Sequence, residues 1–223
     1  MGVLARCFIL TGALLPISAS PADPVDYRIE VAPKLRVGPV NAQTTRAELD
    51  RLFGKDFVKD GDVGVGEGET EPGTIVNGDD PSRALAILWR KPLSRVPSTV
   101  RICYELRQGP CRWQATSGIT YGTTLKELER LNGRPFRLMG FAWDYEGTVM
   151  SWQGGLLEAK LKGCGRLMLR LRPDSQSIER PEWRQVLGAR EYSSGHPAMQ
   201  KMNLLVYDML LDFSYPNAAG CVP

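Results

Sequence analysis

The chain has 223 residues, of which 43% are hydrophobic and 24% charged, with a formal net charge of +3; such a composition supports a buried core and excludes disorder as the default. Its Lys and Arg residues are scattered, so no basic stripe argues for nucleic acid. Beyond the first residues no run approaches the roughly twenty apolar residues of a membrane-spanning helix.

Residues 1–22 read as a signal peptide, with Arg6 as the positive region, Cys7–Leu15 as the apolar run and small residues at Ala19 and Ala22. The mature protein is therefore expected to be periplasmic or secreted. Cys7 precedes the apolar run and is not placed for lipid attachment. Export leaves Cys103, Cys111, Cys164 and Cys221, an even set in an oxidising compartment. The expected disulfides are Cys103–Cys111, around the turn Gln108-Gly109-Pro110, and Cys164–Cys221. Alternation of Val100, Ile102, Tyr104 and Leu106 puts Cys103 on the opposite face, so this bridge is expected on the less apolar face or beside a bulge. The absence of C-x-x-C spacing argues against a metal site, and no cofactor is expected.

In chain order, Val25, Tyr27, Ile29 and Val31 alternate with Asp26, Arg28 and Glu30 as a half-buried strand that Pro33 ends or puts at an edge. A helix is expected over Thr45–Phe53, with Leu49, Leu52 and Phe53 on its buried side. The glycine-rich acidic stretch that follows, carrying Glu67, Glu69 and Glu71, reads as a long mobile loop. Leu85, Ile87 and Trp89 form the next strand, and Val100–Leu106 with Cys111–Ala115 a hairpin. Thr124-Leu125-Lys126-Glu127 fits a capping box that opens a helix with Leu125, Leu128 and Leu131 as its stripe, stopped at Asn132-Gly133. Two aromatic-rich strands, Phe136–Trp143 and Thr148–Trp152, then flank the turn Asp144-Tyr145-Glu146-Gly147. Near the end, Leu167, Leu169 and Leu171 alternate with Met168, Arg170 and Arg172. Leu205, Tyr207, Met209, Leu211 and Phe213 alternate with Val206, Asp208, Leu210 and Asp212, so the two runs are expected to pair antiparallel.

Thr44–Gly54 aligns without gaps on Thr123–Gly133, matching both threonines, the glutamate, both leucines, the arginine and the glycine. This reads as an internal repeat. The expected fold class is α+β: short helices on an antiparallel sheet built from two helix-strand-strand repeats and a C-terminal strand pair. The corresponding divisions are residues 23–115, with the acidic insertion and the cysteine hairpin, 116–162 as second repeat, and 163–223 as the strand pair, all in one compact domain. Trp89 and Trp152, at matched repeat positions, are expected in the core.

Catalytic constellations are weak. A serine triad needs a histidine, and His196 reads as a turn or cap residue. Asp144 and Glu146 flank Tyr145 and admit a hydrolase with two carboxylates, although turn acids commonly serve the turn. The acidic stretch admits calcium but lacks EF-hand spacing. Trp143 and Tyr145, with Asp144, Glu146, Glu67, Glu69 and Glu71, form the expected partner-binding surface.

The Gly-Thr-Thr lead, short Glu-Leu-x-x-Leu helix, glycine stop and paired aromatic strands resemble the small repeats of exported bacterial proteins. The likeness is to outer-membrane assembly lipoproteins of the SmpA/OmlA type and to tandem-repeat β-lactamase-inhibitory proteins. That resemblance implies a cell-envelope module that binds a protein or envelope component, without catalytic activity; a secreted hydrolase and a calcium-binding envelope protein are the alternatives.

Overall fold

The computed structural model describes residues 26–31, 34–90, 96–161 and 165–214. The leader, Val25, Pro33, Cys164 and Cys221 lie outside the described residues, and with them the expectations of a signal peptide and a second disulfide.

Three short strands come first, β1 (Arg28–Glu30), β2 (Arg36–Val37) and β3 (Val40–Asn41), with Ile29, Val37 and Val40 fully buried. Helix α1 (Arg46–Phe53) opens on a full capping box: the Glu48 amide donates to Thr45 Oγ1 at 3.3 Å, and the Thr45 amide donates to the Glu48 carboxylate at 2.6 Å. Its buried side is narrower than the sequence pattern suggests. Leu49 is fully buried and Phe53 partly, but Leu52 is exposed, because an eight-residue helix at the edge of the core presents only one turn inward.

The acidic stretch is not a mobile loop. It forms a long hairpin of β4 (Val58–Gly66) and β5 (Glu69–Val76), closed by Glu67 and Gly68 at φ of 54° and 78°. Two positive φ values in a two-residue turn match the right-handed twist of the flanking strands. Strands β6 (Leu85–Trp89) and β7 (Pro97–Ile102) follow, and then β8 (Gln114–Ala115). The expected cysteine hairpin does not form, because β7 and β8 join different sheets. Between them the chain pivots at Cys103 and Glu105, with φ of 51° and 61°. The Cys103–Cys111 disulfide closes this excursion with Cα atoms 5.9 Å apart. Cys103 sits just past the strand, so strand alternation does not dictate its direction and it is buried. Replacing both cysteines by Ser is expected to cost about 2–3 kcal/mol, the loop-closure value for a span of 8 residues; urea denaturation with and without reductant checks it.

The next unit is helix α2 (Leu125–Asn132), β9 (Arg137–Met139) and β10 (Val149–Ser151), followed by helix α3 (Leu156–Leu161). Only half of the expected capping box forms. The Glu127 amide donates to Thr124 Oγ1 at 3.1 Å, but the Glu127 carboxylate turns forward to Arg130, its neighbour one turn on. Gly133 ends the helix in the left-handed region at φ 75°. Asn132 does more than stop it. Buried, it donates to the carbonyls of Arg134 and Trp152 at 2.9 and 3.0 Å and accepts from the Leu157 amide at 3.2 Å, tying α2, β10 and α3 together. Asn132→Ala strands two buried backbone groups and one part-buried carbonyl and is expected to cost about 3 kcal/mol, measured as a shift of the urea midpoint at unchanged slope.

The chain closes with β11 (Arg166–Pro173), a turn of helix α4 (Ser175–Ile178), β12 (Glu191–Ser193), helix α5 (Pro197–Lys201) and β13 (Leu204–Asp212). As the alternation predicts, β11 and β13 pair antiparallel. The face of β13 nevertheless switches midway: Arg170 faces Asp208 while Leu171 faces Val206, leaving Tyr207 as a bulge. Leu204 and Val206 point inward before it, Met209 and Leu211 after it.

The fold is α+β, rich in antiparallel pairing. A six-stranded antiparallel sheet runs β11-β13-β7-β6-β5-β4; β10-β9-β12 and β3-β2-β1-β8 form two smaller sheets, the last with one parallel pair, β1 with β8. The single sheet expected to collect both repeats is thus divided. Leu49 and Leu128 are both fully buried and Thr45 and Thr124 both cap helices, but the following hairpins lie in different sheets, and Phe57 is exposed where Phe136 is buried. Trp152 packs in the core with its ring 5.0 Å from Phe136, whereas Trp89 is half-exposed and donates to Thr74 Oγ1 at 3.0 Å. Two large buried rings that the repeat pattern did not single out are Trp113 and Phe141.

Candidate functional site

Strand alternation leaves one face of the six-stranded sheet outside the core: Leu88 on β6, Thr99 and Arg101 on β7, Leu210 and Asp212 on β13, Met168 and Arg170 on β11. This face is not bare. The hairpin pairs with β6 only through Gly73–Val76, so its tip projects past the sheet. At Gly73 it approaches β6 so closely that an added Cβ would press on the Ile87 carbonyl and on Val63. The tip then folds back over the outer face, where the Gly64 amide donates to the Tyr104 hydroxyl at 3.2 Å and the Gly64 carbonyl accepts from Arg101 Nη1 at 2.5 Å.

Roof and floor enclose a cleft of about 310 Å³, mostly apolar, with Val65 above, Leu88, Leu210 and Met168 below, and Tyr145 at the far wall. Arg101 and Asp208 pair across its floor at 2.8 Å, with side chains 23% and 11% exposed. The Arg101 guanidinium also lies over the Tyr104 ring, 5.8 Å from its centre, and its Nε is buried without a partner. A second cavity of about 470 Å³ adjoins the first, sharing Arg101 and Asp208, and is walled by Tyr104, Arg107, Arg172 and Tyr207. Arg172 stacks over the Tyr207 ring at 5.2 Å and donates to the Arg107 carbonyl and the Tyr121 hydroxyl, each at 3.2 Å. Burial pushes the Tyr207 phenol above its ordinary pKa, so it is protonated at neutral pH.

The residues expected from sequence fall around this cleft unequally. Tyr145, 58% exposed, lines it, with its ring 5.3 Å from Trp143. Asp144 supplies its backbone carbonyl to Arg170, and the Glu146 carboxylate accepts from the Ala142 amide at 2.9 Å, so both acids brace the turn. Glu67 and Glu69 sit at the end of the roofing hairpin, beyond Val65, while Glu71 lies lower on its second arm, opposite Val63. The hairpin and the Tyr145 turn therefore meet at one cleft. Sequence reasoning missed its floor. Met168 and Leu210 stood beside Arg170, Arg172, Asp208 and Asp212 on faces read as outward, and nothing linked Arg101 to Asp208, 107 positions away.

Other candidates resolve into framework. The His196 imidazole caps α5, Nδ1 accepting from the Ala198 amide at 3.2 Å, while the Ser194 hydroxyl donates to Glu129 at 2.5 Å. A cleft beside α1 holds Arg46 between Asp50 and Asp60, at 2.5 and 2.7 Å. Burial would raise the Asp60 pKa, but hydrogen bonds from Thr74 and Arg46 outweigh it and hold the carboxyl below its usual range. Among the described residues no group of three His, Cys, Asp or Glu side chains could hold a metal ion, and no helix is long and apolar enough to cross a membrane. In comparisons with protein families, characterised proteins and solved structures, nothing matches the chain.

Proposed function

We propose that the protein is an exported cell-envelope binding module whose ligand or partner enters the cleft between the outer sheet face and the folded-back β4–β5 hairpin. The observation that carries this reading is the clasp of Arg101 and Tyr104 on Gly64, which turns an open sheet face into a walled, mostly apolar cleft with an aromatic residue at its end. Export rests on the leader-like residues 1–22 and agrees with the Cys103–Cys111 disulfide. Tyr145 lines the cleft, Trp143, Asp144 and Glu146 share its turn, and Glu67, Glu69 and Glu71 lie on the hairpin that roofs it, so a partner reaching past the cleft would meet a mixed aromatic and acidic surface. The likeness of the two helix units to repeats of envelope lipoproteins and β-lactamase-inhibitory proteins supports the same class.

The test is capture from a native envelope extract by the parent and by Thr99→Trp, whose indole would fill the cleft from its floor. Loss of the parent's ligand in the variant supports the reading; equal capture by a folded variant refutes it. For a captured partner, charge reversal at Glu67, Glu69 and Glu71 is expected to slow association by about tenfold at low salt and much less at high salt, whereas Tyr145→Ala speeds dissociation. Surface plasmon resonance at two salt concentrations separates these effects, and rates unchanged by either variant remove that surface from the site.

A further inference from the structure

The two adjoining cavities differ in chemistry, and that difference names a ligand class for the cleft on which the proposed function rests. The compartment under the hairpin is walled by Val65, Leu88, Met168 and Leu210. The neighbouring one carries Arg107 and Arg172 with the neutral Tyr207 phenol, and Arg170 stands between them on β11. None of these three arginines has a carboxylate partner among the described residues. Arg170 donates to the Asp144 carbonyl and its Nε is buried without a partner; Arg172 donates to a carbonyl and a phenol; the Arg107 guanidinium bonds to nothing described. Against them stand Asp208, already paired with Arg101, the exposed Glu105, Asp212 in the first cavity, which accepts from the Ser214 hydroxyl, and Glu146, whose charge reaches Tyr207. Unpaired guanidinium groups beside a Tyr donor are suited to an anion, which they can bind with charge-assisted hydrogen bonds.

We infer that the two adjoining cavities, which meet at the Arg101–Asp208 pair, take a single-chain amphiphile with an anionic head: the apolar chain lies under the hairpin tip and the head meets Arg107 and Arg172. The stacking of Arg172 on Tyr207 holds its guanidinium ready, so less freedom is lost on binding than from a mobile side chain.

Titration calorimetry with dodecyl phosphate and with the neutral dodecyl maltoside, both below micelle formation, tests this on the full-length mature protein. The phosphate is expected to bind about tenfold more tightly than the maltoside, the effect of one or two charge-assisted bonds. In Arg107→Gln/Arg172→Gln that preference should vanish while maltoside affinity stays; Arg107→Lys/Arg172→Lys should keep most of it, which separates charge from packing. Thr99→Trp should abolish both. Equal binding of the two amphiphiles, or a preference that survives the Gln pair, overturns the anionic head and leaves the cleft reading in place. Binding of neither, with capture from envelope extract still blocked by Thr99→Trp, overturns the amphiphile alone, as does binding of an apolar pentapeptide ending in aspartate where dodecyl phosphate fails. Amphiphile binding unaffected by Thr99→Trp overturns both.

Discussion

Gly147→Ala is expected to destabilise the protein by roughly 4 kcal/mol, near the top of the range for single substitutions. Gly147 lies in the left-handed region at φ 64°, where any side chain is strained. An added Cβ would also fall within the backbone of Leu171, which cannot move without disturbing β11. The approach is close because the turn is stapled to that strand: the Leu171 amide donates to the Gly147 carbonyl at 2.9 Å, and Thr148 bridges to Arg170. Ala must therefore break the staple and expose buried backbone groups. The same displacement would carry Tyr145 away from the cleft. Urea denaturation measures the loss, and a variant within about 1 kcal/mol of the parent would show that the turn is free to move.

Asp208→Ala should cost about 3–5 kcal/mol, because it leaves the Arg101 guanidinium charged and uncompensated in a mostly buried position. Arg101 also holds the Gly64 carbonyl, so loss of its partner is expected to loosen the hairpin clasp and speed proteolysis at the Glu67-Gly68 turn. Replacing the pair together, as Arg101→Met/Asp208→Leu, should cost far less than Asp208→Ala, since neither charge is then left behind. A double-mutant cycle tests the point. If the double variant is no more stable than Asp208→Ala, the pair is not the source of the cost and the cleft floor is held by something else.

Legibility from sequence followed the range of the interaction. Helix caps at Thr45 and Thr124, the leucine spacing of α2, the alternation of β11 and the Cys103–Cys111 disulfide depend on neighbours within a few residues, and each was readable. The acidic hairpin was missed for a local reason: glycines at 61, 64, 66, 68 and 73 dilute its valine alternation, and in composition a twisted two-residue turn looks like any loop. The rest required partners. The bulge at Tyr207 exists because two strands bend against each other, so a single strand read alone showed one continuous face where there are two. Allocation of the two helix-strand-strand units to different sheets, and the meeting of Gly64, Arg101, Tyr145 and Asp208 at one cleft, join residues far apart in the chain. Periodicity states which residues a strand turns inward, but pairing is chosen by the whole core; the sequence by itself determined the two helices, the inward face of β11 and its pairing with β13, and only the tertiary structure decided how the other strands met, where the face of β13 switches and so where the cleft lies.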